Sequence, residues 1–349
     1  MSKTRIAIAG CGLIGRVHLQ AVLASGTVTL SAVVDPSPAA ASVAARAGVP
    51  HYASLEELLD KDRPEGLVLA TPNHLHLSQA LQCIETGLPI LLEKPITATL
   101  AEAEQLVARA EQQGARILIG HHRAHSPIMV AAAQVARSGK LGRLVAVTGS
   151  ATFLKPDHYF EDGPWRRQIG GGPILLNMIH EVHNLRMLCG AITHVQALAS
   201  HAVRGFAVED TVAINLRFAN GALGSFMLSD CAASARSWEQ TSGENKEFPS
   251  YADEDCYVVS GTHGSLSVPT MRLKTYASEE ERSWWKPFEQ SLSQVTRSDP
   301  VKHQRDHFGA VARGQAVPVV SARDGMENLR VTEAIVRAAA SGLVVPIHP

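Results

Sequence analysis

Gly10-Cys11-Gly12-Leu13-Ile14-Gly15 constrains this chain more than any other feature, because an apolar run, Ile6-Ala7-Ile8-Ala9, leads into it and a helical pattern leads out. By itself GxGxxG is a weak signal. Here a second apolar strand also ends at Asp35, about 20 residues after Gly15, which completes the dinucleotide-binding fingerprint. Gly10 permits a tight turn, Gly12 lets the backbone approach a pyrophosphate, and Gly15 lets the helix pack closely on the sheet. The helix start offers free N–H groups and the positive end of a dipole to phosphate. Asp35 would accept hydrogen bonds from ribose hydroxyls and repel a 2′-phosphate. That favours NAD, although a nearby Arg would admit NADP. The competing account is a glycine turn that binds nothing.

The pattern that follows extends the sheet. Apolar strands at Arg5–Ala9, Val28–Val34, Gly66–Ala70, Ile90–Leu92 and Arg116–Ile119 alternate with helical segments near 13–24, 37–47, 54–60, 75–86 and 99–112. This alternation predicts a doubly wound parallel sheet covered on both faces. Beyond residue 140 the texture changes to alternating runs at Leu144–Thr152, His194–His201, Asp210–Phe218 and Ala222–Leu228, with Asn220-Gly221 as a hairpin turn between the last two. These predict a mostly antiparallel sheet with helices near 174–188, 302–313 and 324–340. The polar stretch 232–256 reads as a long loop.

Composition removes several function classes. Lys plus Arg number 32 against 33 Asp plus Glu, a balance that lacks the basic field needed to grip nucleic acid. No apolar run reaches the roughly 18 residues of a spanning helix. The five cysteines never form a CxxC pair, and the start of the chain lacks the apolar core of a signal peptide, so a cytoplasmic location is expected. Sixteen histidines invite a metal hypothesis, with His74 and His76, or His121, His122 and His125, as ligand clusters. No Cys or carboxylate completes either set, and no metal is expected.

Two loops fall directly after apolar strands, where an open α/β sheet binds its ligands. One is Ala70-Thr71-Pro72-Asn73-His74-Leu75-His76 and the other Glu93-Lys94-Pro95. A Lys at a strand end beside a cofactor is a candidate acid/base, since desolvation and neighbouring charge lower its pKa. Read from the residues alone, Lys94 is either that group or a solvated loop Lys.

With these pieces assembled, the chain resembles the glucose–fructose oxidoreductase/inositol dehydrogenase/rhizopine-catabolism (Gfo/Idh/MocA) family. The resemblance rests on Gly10–Gly15, Thr71–His76 and Glu93-Lys94-Pro95, then Gly170-Gly171-Gly172 before a helix carrying His180, Glu209-Asp210-Thr211, and Asp324-Gly325. It implies a Rossmann domain over 1–122 and an α/β domain over 123–349 built on a large, open, mainly antiparallel sheet. Such a sheet packs against another subunit, giving homodimers or homotetramers. It also implies an NAD(P)-dependent oxidoreductase acting on sugars, polyols, inositols or cyclic diols. Cofactor contacts would fall on Gly10, Cys11, Gly12, Leu13, Ile14, Gly15, Asp35, Thr71, Pro72, Asn73, His76, Glu93 and Lys94. Lys94 is expected to touch the reacting hydroxyl and the nicotinamide ribose, with Glu93 orienting its loop and Pro95 shaping it.

The helix after the glycine triplet departs from the family's commonest pattern. Leu176 stands where an Asp is usual, and His183 where a second Asp is frequent. Asn177 and His180, three residues apart, share a helix face. Asn177 can hydrogen-bond substrate but cannot act as a base. Either His180 joins Lys94 in proton transfer, or Lys94 acts alone and His180 is a core histidine. His121 and Arg123, after the last Rossmann strand, resemble a substrate-contacting segment, and Arg166 lies in Trp165-Arg166-Arg167. These Arg residues would suit a substrate carboxylate, or would pair with Glu161 and Asp162. The segment Trp238–Tyr257, with Glu244, Asn245 and Tyr251, reads as a specificity element or an oligomer contact.

The function expected is therefore NAD-linked oxidation of a secondary alcohol, with Lys94 and His180 moving the proton. Two alternatives stand beside it. One is a dihydrodiol or hydroxy-acid dehydrogenase of aromatic breakdown; the other is a nicotinamide-binding sensor that has lost its chemistry.

Overall fold

The computed structural model describes residues 2–348 and forms two compact units. One comprises the chain up to His125 together with Pro300–Leu329; the other comprises Ser126–Asp299 and the chain from Arg330 onward.

The first unit opens with β1 (Thr4–Ala9), α1 (Leu13–Leu23), β2 (Val28–Val34), α2 (Pro38–Ala47), β3 (His51–Tyr52), α3 (Leu55–Lys61) and β4 (Gly66–Leu69). It continues with α4 (His76–Glu85), β5 (Ile90–Leu92), α5 (Leu100–Gln113) and β6 (Ile117–Ile119). The strands lie in the order β3-β2-β1-β4-β5-β6, all parallel, so the winding reverses between β1 and β4. Ile6, Leu67, Leu69 and Ile90–Leu92 are wholly buried, as expected where helices cover both faces. Polar caps set where two of these helices begin. Ser54 accepts from Glu57 N–H, and Thr99 with Glu102 makes a capping box. The two-residue β3 is too short to leave a period in the sequence.

The second unit holds α6 (Pro127–Arg137), β7 (Leu144–Thr152), α7 (Asp157–Glu161), α8 (Ile179–Cys189), β8 (Ile192–Ser200), β9 (Thr211–Phe218), β10 (Leu223–Ser229) and α9 (Trp238–Ser242). Then come β11 (Tyr257–Gly261), β12 (Gly264–Val268), β13 (Arg272–Thr275), β14 (Glu289–Leu292) and, near the end, β15 (Val345–Pro346). The nine strands run β14-β13-β12-β11-β7-β10-β9-β8-β15, antiparallel except for β7 with β10. The turn at Asn220-Gly221 joins β9 to β10 as expected, with Gly221 at φ 89°. Alternate residues Val212, Ile214, Leu216 and Phe218 face a core shared with Met129, Val182, Leu185 and Ile335.

Two expectations need correction. The polar stretch 232–256 is not simply a loop: α9 lies inside it, and Trp238 is buried, 6.1 Å from the Tyr257 ring. Two of its polar residues are bonded inside the protein, Thr241 Oγ1 donating to Ser237 O and Glu244 Oε1 accepting from Ser126 Oγ. The helix read as regular over 174–188 begins with a wide π turn, Ile174–Met178. In the first compact unit, α10 (Pro300–Ala312) and the start of α11 (Ala322–Ser341) join the N-terminal part of the chain. A Cβ on Gly66 would sit 3.0 Å from the buried Phe308 ring, and Ile119 N–H donates to Val320 O. Apolar packing on the sheet decides the boundary. Among the described residues no helix is long and apolar enough to cross a membrane.

Candidate active site

The glycine loop follows β1 at the point where the sheet order reverses. Gly10 has φ 93°, and a Cβ there would lie 2.4 Å from Ala70 O. A Cβ on Gly15 would lie 1.9 Å from Gly10 O, whereas one on Gly12 would meet nothing within 4 Å. Two glycines thus serve the fold, and the third leaves open space. α1 starts there without a side-chain cap or an acidic residue in its first turn, and Leu13 beside it is 80% exposed. Uncapped N–H groups next to open space fit a dinucleotide diphosphate.

Asp35, at the end of β2, accepts from Cys11 N–H at 2.7 Å and Ser37 N–H at 2.8 Å. Partial burial pushes its pKa up, but the hydrogen bonds from Ser37 and Cys11 prevail and hold it below the usual carboxylate value. It is an ordered anion suited to ribose hydroxyls. Burial first, then Asp35, pushes the Cys11 thiol up, so Cys11 contributes backbone and not thiolate chemistry.

The next two loops are tied together from inside. The His76 ring is buried, with Nδ1 and Nε2 each 2.9 Å from a carbonyl, of Pro95 and Thr71 respectively. Desolvation lowers its pKa. His76 therefore shapes the loops, while Thr71, Pro72 and Asn73 stand more open. Glu93 is buried too. His18 Nε2 of α1 donates to its Oε1 at 2.8 Å, and Lys94 N–H donates to its Oε2 at 3.2 Å. Burial pushes the Glu93 carboxyl up, but the His18 hydrogen bond, with Lys94 and His122 nearby, keeps it below its usual value. Gly120 leaves room for that carboxylate, since a Cβ there would lie 2.7 Å from Oε1. The half-buried Lys94 rides on this clamp. His121 and Arg123 are buried in the same unit, and Asn328 Nδ2 donates to His121 Nε2 at 3.1 Å.

In the second unit the glycine triplet runs against its neighbours. A Cβ on Gly171 would meet Trp165 O at 2.5 Å, and one on Gly172 would meet Glu209 Oε1 at 2.4 Å. That carboxylate oxygen accepts from Ile174 N–H at 2.8 Å and so caps the π turn. Burial raises the Glu209 pKa. Asn177 lies in the π turn and half-buried His180 in the first turn of α8, so their spacing is not that of a regular helix. Wide turns of this kind recur at functional sites.

A lysine that sequence reasoning passed over stands beside Asn177. Lys155 Nζ donates to Asn177 Oδ1 at 2.8 Å and lies 3.5 Å from Asp230 Oδ2. Phe153 and Tyr159 rings flank it at 5.6 and 5.0 Å. Burial, helped by Arg204 and Arg166 and opposed by Asp230, lowers its pKa to about 8. Arg204 Nε also donates to Asp230, at 2.8 Å. Arg166 turns onto Tyr159, its guanidinium 3.9 Å over the ring and Nη1 donating to the Tyr159 carbonyl, away from the acids at 161 and 162. One signal could have found Lys155: Lys155-Pro156 follows β7 as Lys94-Pro95 follows β5.

The sequence matches known proteins along most of its length. The profile of an oxidoreductase family with an NAD-binding Rossmann fold matches residues 4–121, and that of the GFO/IDH/MocA C-terminal domain matches 129–267. The chain is 25% identical to 1,5-anhydro-D-fructose reductase of Ensifer adhaerens over 345 residues, which covers 94% of this chain and 93% of that protein. It is 29% identical to rhizopine catabolism protein MocA of Rhizobium meliloti over 193 residues, 54% of this chain and 58% of that relative's length. The WlbA dehydrogenase from Bordetella pertussis, solved with NADH and UDP-GlcNAcA, matches over 100% of both chains with a TM-score of 0.77 and 23% identity. At that identity the likeness establishes the fold.

Proposed function

The chain belongs to the Gfo/Idh/MocA family of oxidoreductases, and from that membership we propose that it is an NAD-dependent dehydrogenase oxidising a secondary alcohol of a sugar, polyol, inositol or cyclic diol. The observation that carries this reading is the crevice at the strand ends. There an uncapped helix start, an ionised Asp35 and a clamped Lys94 loop follow β1, β2 and β5 of one parallel sheet. NAD bound there supplies a hydride acceptor at its nicotinamide ring. Lys94 takes the hydroxyl proton as the carbinol hydrogen leaves, with His180 assisting, and returns it in ketone reduction. Asn177 and Arg166 orient substrate oxygens, while buried His121 and Arg123 support the segment after β6. Asp35 favours NAD over NADP.

Copies of the chain associate in this reading as dimers or tetramers. Leu198, Ala213 and Met227 lie side by side across β8, β9 and β10 on the outward face of the large sheet, with Leu198 69% and Met227 44% exposed. Contiguous apolar exposure of that kind suits a subunit contact. Sedimentation of the purified protein checks it.

The test of activity is the appearance of reduced-nicotinamide absorbance with NAD or NADP and a panel of aldoses, inositols, sugar acids and cyclic diols. The expected result is a signal with NAD that Lys94→Ala abolishes. Silence across the panel from a protein that still binds NAD would overturn the dehydrogenase reading in favour of a sensor.

A further inference from the structure

Lys155 and its surroundings have a chemistry that the reading above does not use. An ammonium has only donors, so the Asn177 carboxamide must turn its oxygen toward Lys155. Its Nδ2 therefore points away, and no acceptor among the described residues meets it. Three cations cluster nearby. Lys155 and Arg204 share Asp230, while Arg204 is 3.8 Å from Asp157, a side chain 94% exposed. Arg166 stacks on the Tyr159 ring that also flanks Lys155, and its Nε is buried with no acceptor. Two further acids lie close by, but each already has donors: Glu209 accepts from the Ile174 N–H, and Asp210 Oδ2 from the Val203 and Arg204 N–H groups.

We propose that Lys155 determines substrate specificity: with the Asn177 amide it fixes and with Arg166, it reads a carboxylate, so that the substrates are hydroxy acids of the aldonic or uronic type in preference to neutral polyols. A carboxylate accepts at both oxygens and offers no hydrogen, which matches donors left without acceptors. A neutral hydroxyl would bring a hydrogen of its own, which needs an acceptor that these donors do not offer. Burial with Arg204 and Arg166 brings Lys155 to about 8 against the pull of Asp230, so it holds its charge below that pH and loses it above. The proposal rests on the dehydrogenase reading only for its hydride chemistry, and its test separates the two.

Calorimetric titration of the NADH-loaded protein with D-gluconate and D-glucuronate, against D-glucitol and myo-inositol, measures binding; NAD-linked turnover is followed in parallel. The wild type is expected to bind at least one acid about tenfold more tightly than its neutral counterpart. Lys155→Met raises Kd and KM for that acid by about tenfold and those for neutral ligands by less than about threefold. Lys155→Arg keeps acid binding. Above pH 8 the wild-type KM for the acid climbs, and in Lys155→Arg it does not. Tighter binding of the neutral ligands, no binding of either acid, or equal losses for acid and neutral ligands in Lys155→Met would overturn the proposal. Lys155-dependent acid binding without hydride transfer would keep it and sink the dehydrogenase reading. Should circular dichroism show Lys155→Met unfolded, Lys155→Arg and the wild-type pH dependence decide.

Discussion

The nucleotide end of the first unit leans on backbone amides to hold its charges, whereas the helix start of the second relies on side chains. Asp35 is held by the backbone N–H groups of Ser37 and of Cys11 in the glycine loop, and Glu93 by the next residue's amide together with the His18 side chain. Lys155 is held by side chains from elsewhere, Asn177 and Asp230, and Asp230 in turn by Arg204. Backbone holds a charge with a short motif that any side chains between tolerate. Side chains holding one another need particular residue types as partners, and leave specificity free to change without changing the fold.

The comparison can be broken or sharpened by mutation. Lys94→Ala has the largest expected effect, a fall in kcat of about 10²–10⁴-fold, because a general acid/base is removed. NADH fluorescence titration should show binding nearly intact; loss of binding alone would move Lys94 to the nucleotide side. Gly15→Ala comes next, since its Cβ would enter Gly10 O at 1.9 Å, and chemical denaturation should show a cost of about 3 kcal/mol. Gly12→Ala, facing open space, should cost under about 1 kcal/mol yet weaken NAD binding about tenfold, dividing fold from ligand within one loop.

His18→Ala strands a buried carboxylate and should cost about 3 kcal/mol. Because the folded Glu93 pKa lies below its ordinary 4.5, its stabilisation is complete above that pH and is lost as pH falls further. Acid unfolding of the wild type against His18→Ala, followed by circular dichroism, checks the sign. In the second unit, Glu209→Gln should have the smallest effect, under about 1 kcal/mol by thermal unfolding, since the amide keeps an acceptor for Ile174 N–H and removes a charge that burial disfavours. A large loss would mean that this end depends on charge as strictly as the Glu93 clamp.

What could be read in the sequence follows the same divide. Gly10 to Gly15, Asp35 and the strands around them are local patterns, and each falls where periodicity and turn chemistry put it. The Asn220-Gly221 hairpin is equally local. The π turn at 174–178 has no residue signature of its own, because its start is capped by Glu209, 35 positions away. His18 as the partner of Glu93, and Lys155 as the partner of Asn177, are likewise set by tertiary contacts across 75 and 22 positions. The burial of Trp238 inside a polar stretch is another such case: one large apolar residue outweighed its neighbours' polarity.

The return of α10 to the first sheet has a consequence for how the protein is born. The strands β1, β2 and β4 are complete once residue 69 has left the ribosome, but Phe308 and Gly309, which pack at Gly66 and Val28, are translated only after the whole stretch up to Asp299. The nascent nucleotide unit therefore carries an uncovered apolar patch for most of its synthesis, a natural target for chaperones. A gene cut after His125 would yield a fragment with that patch permanently bare.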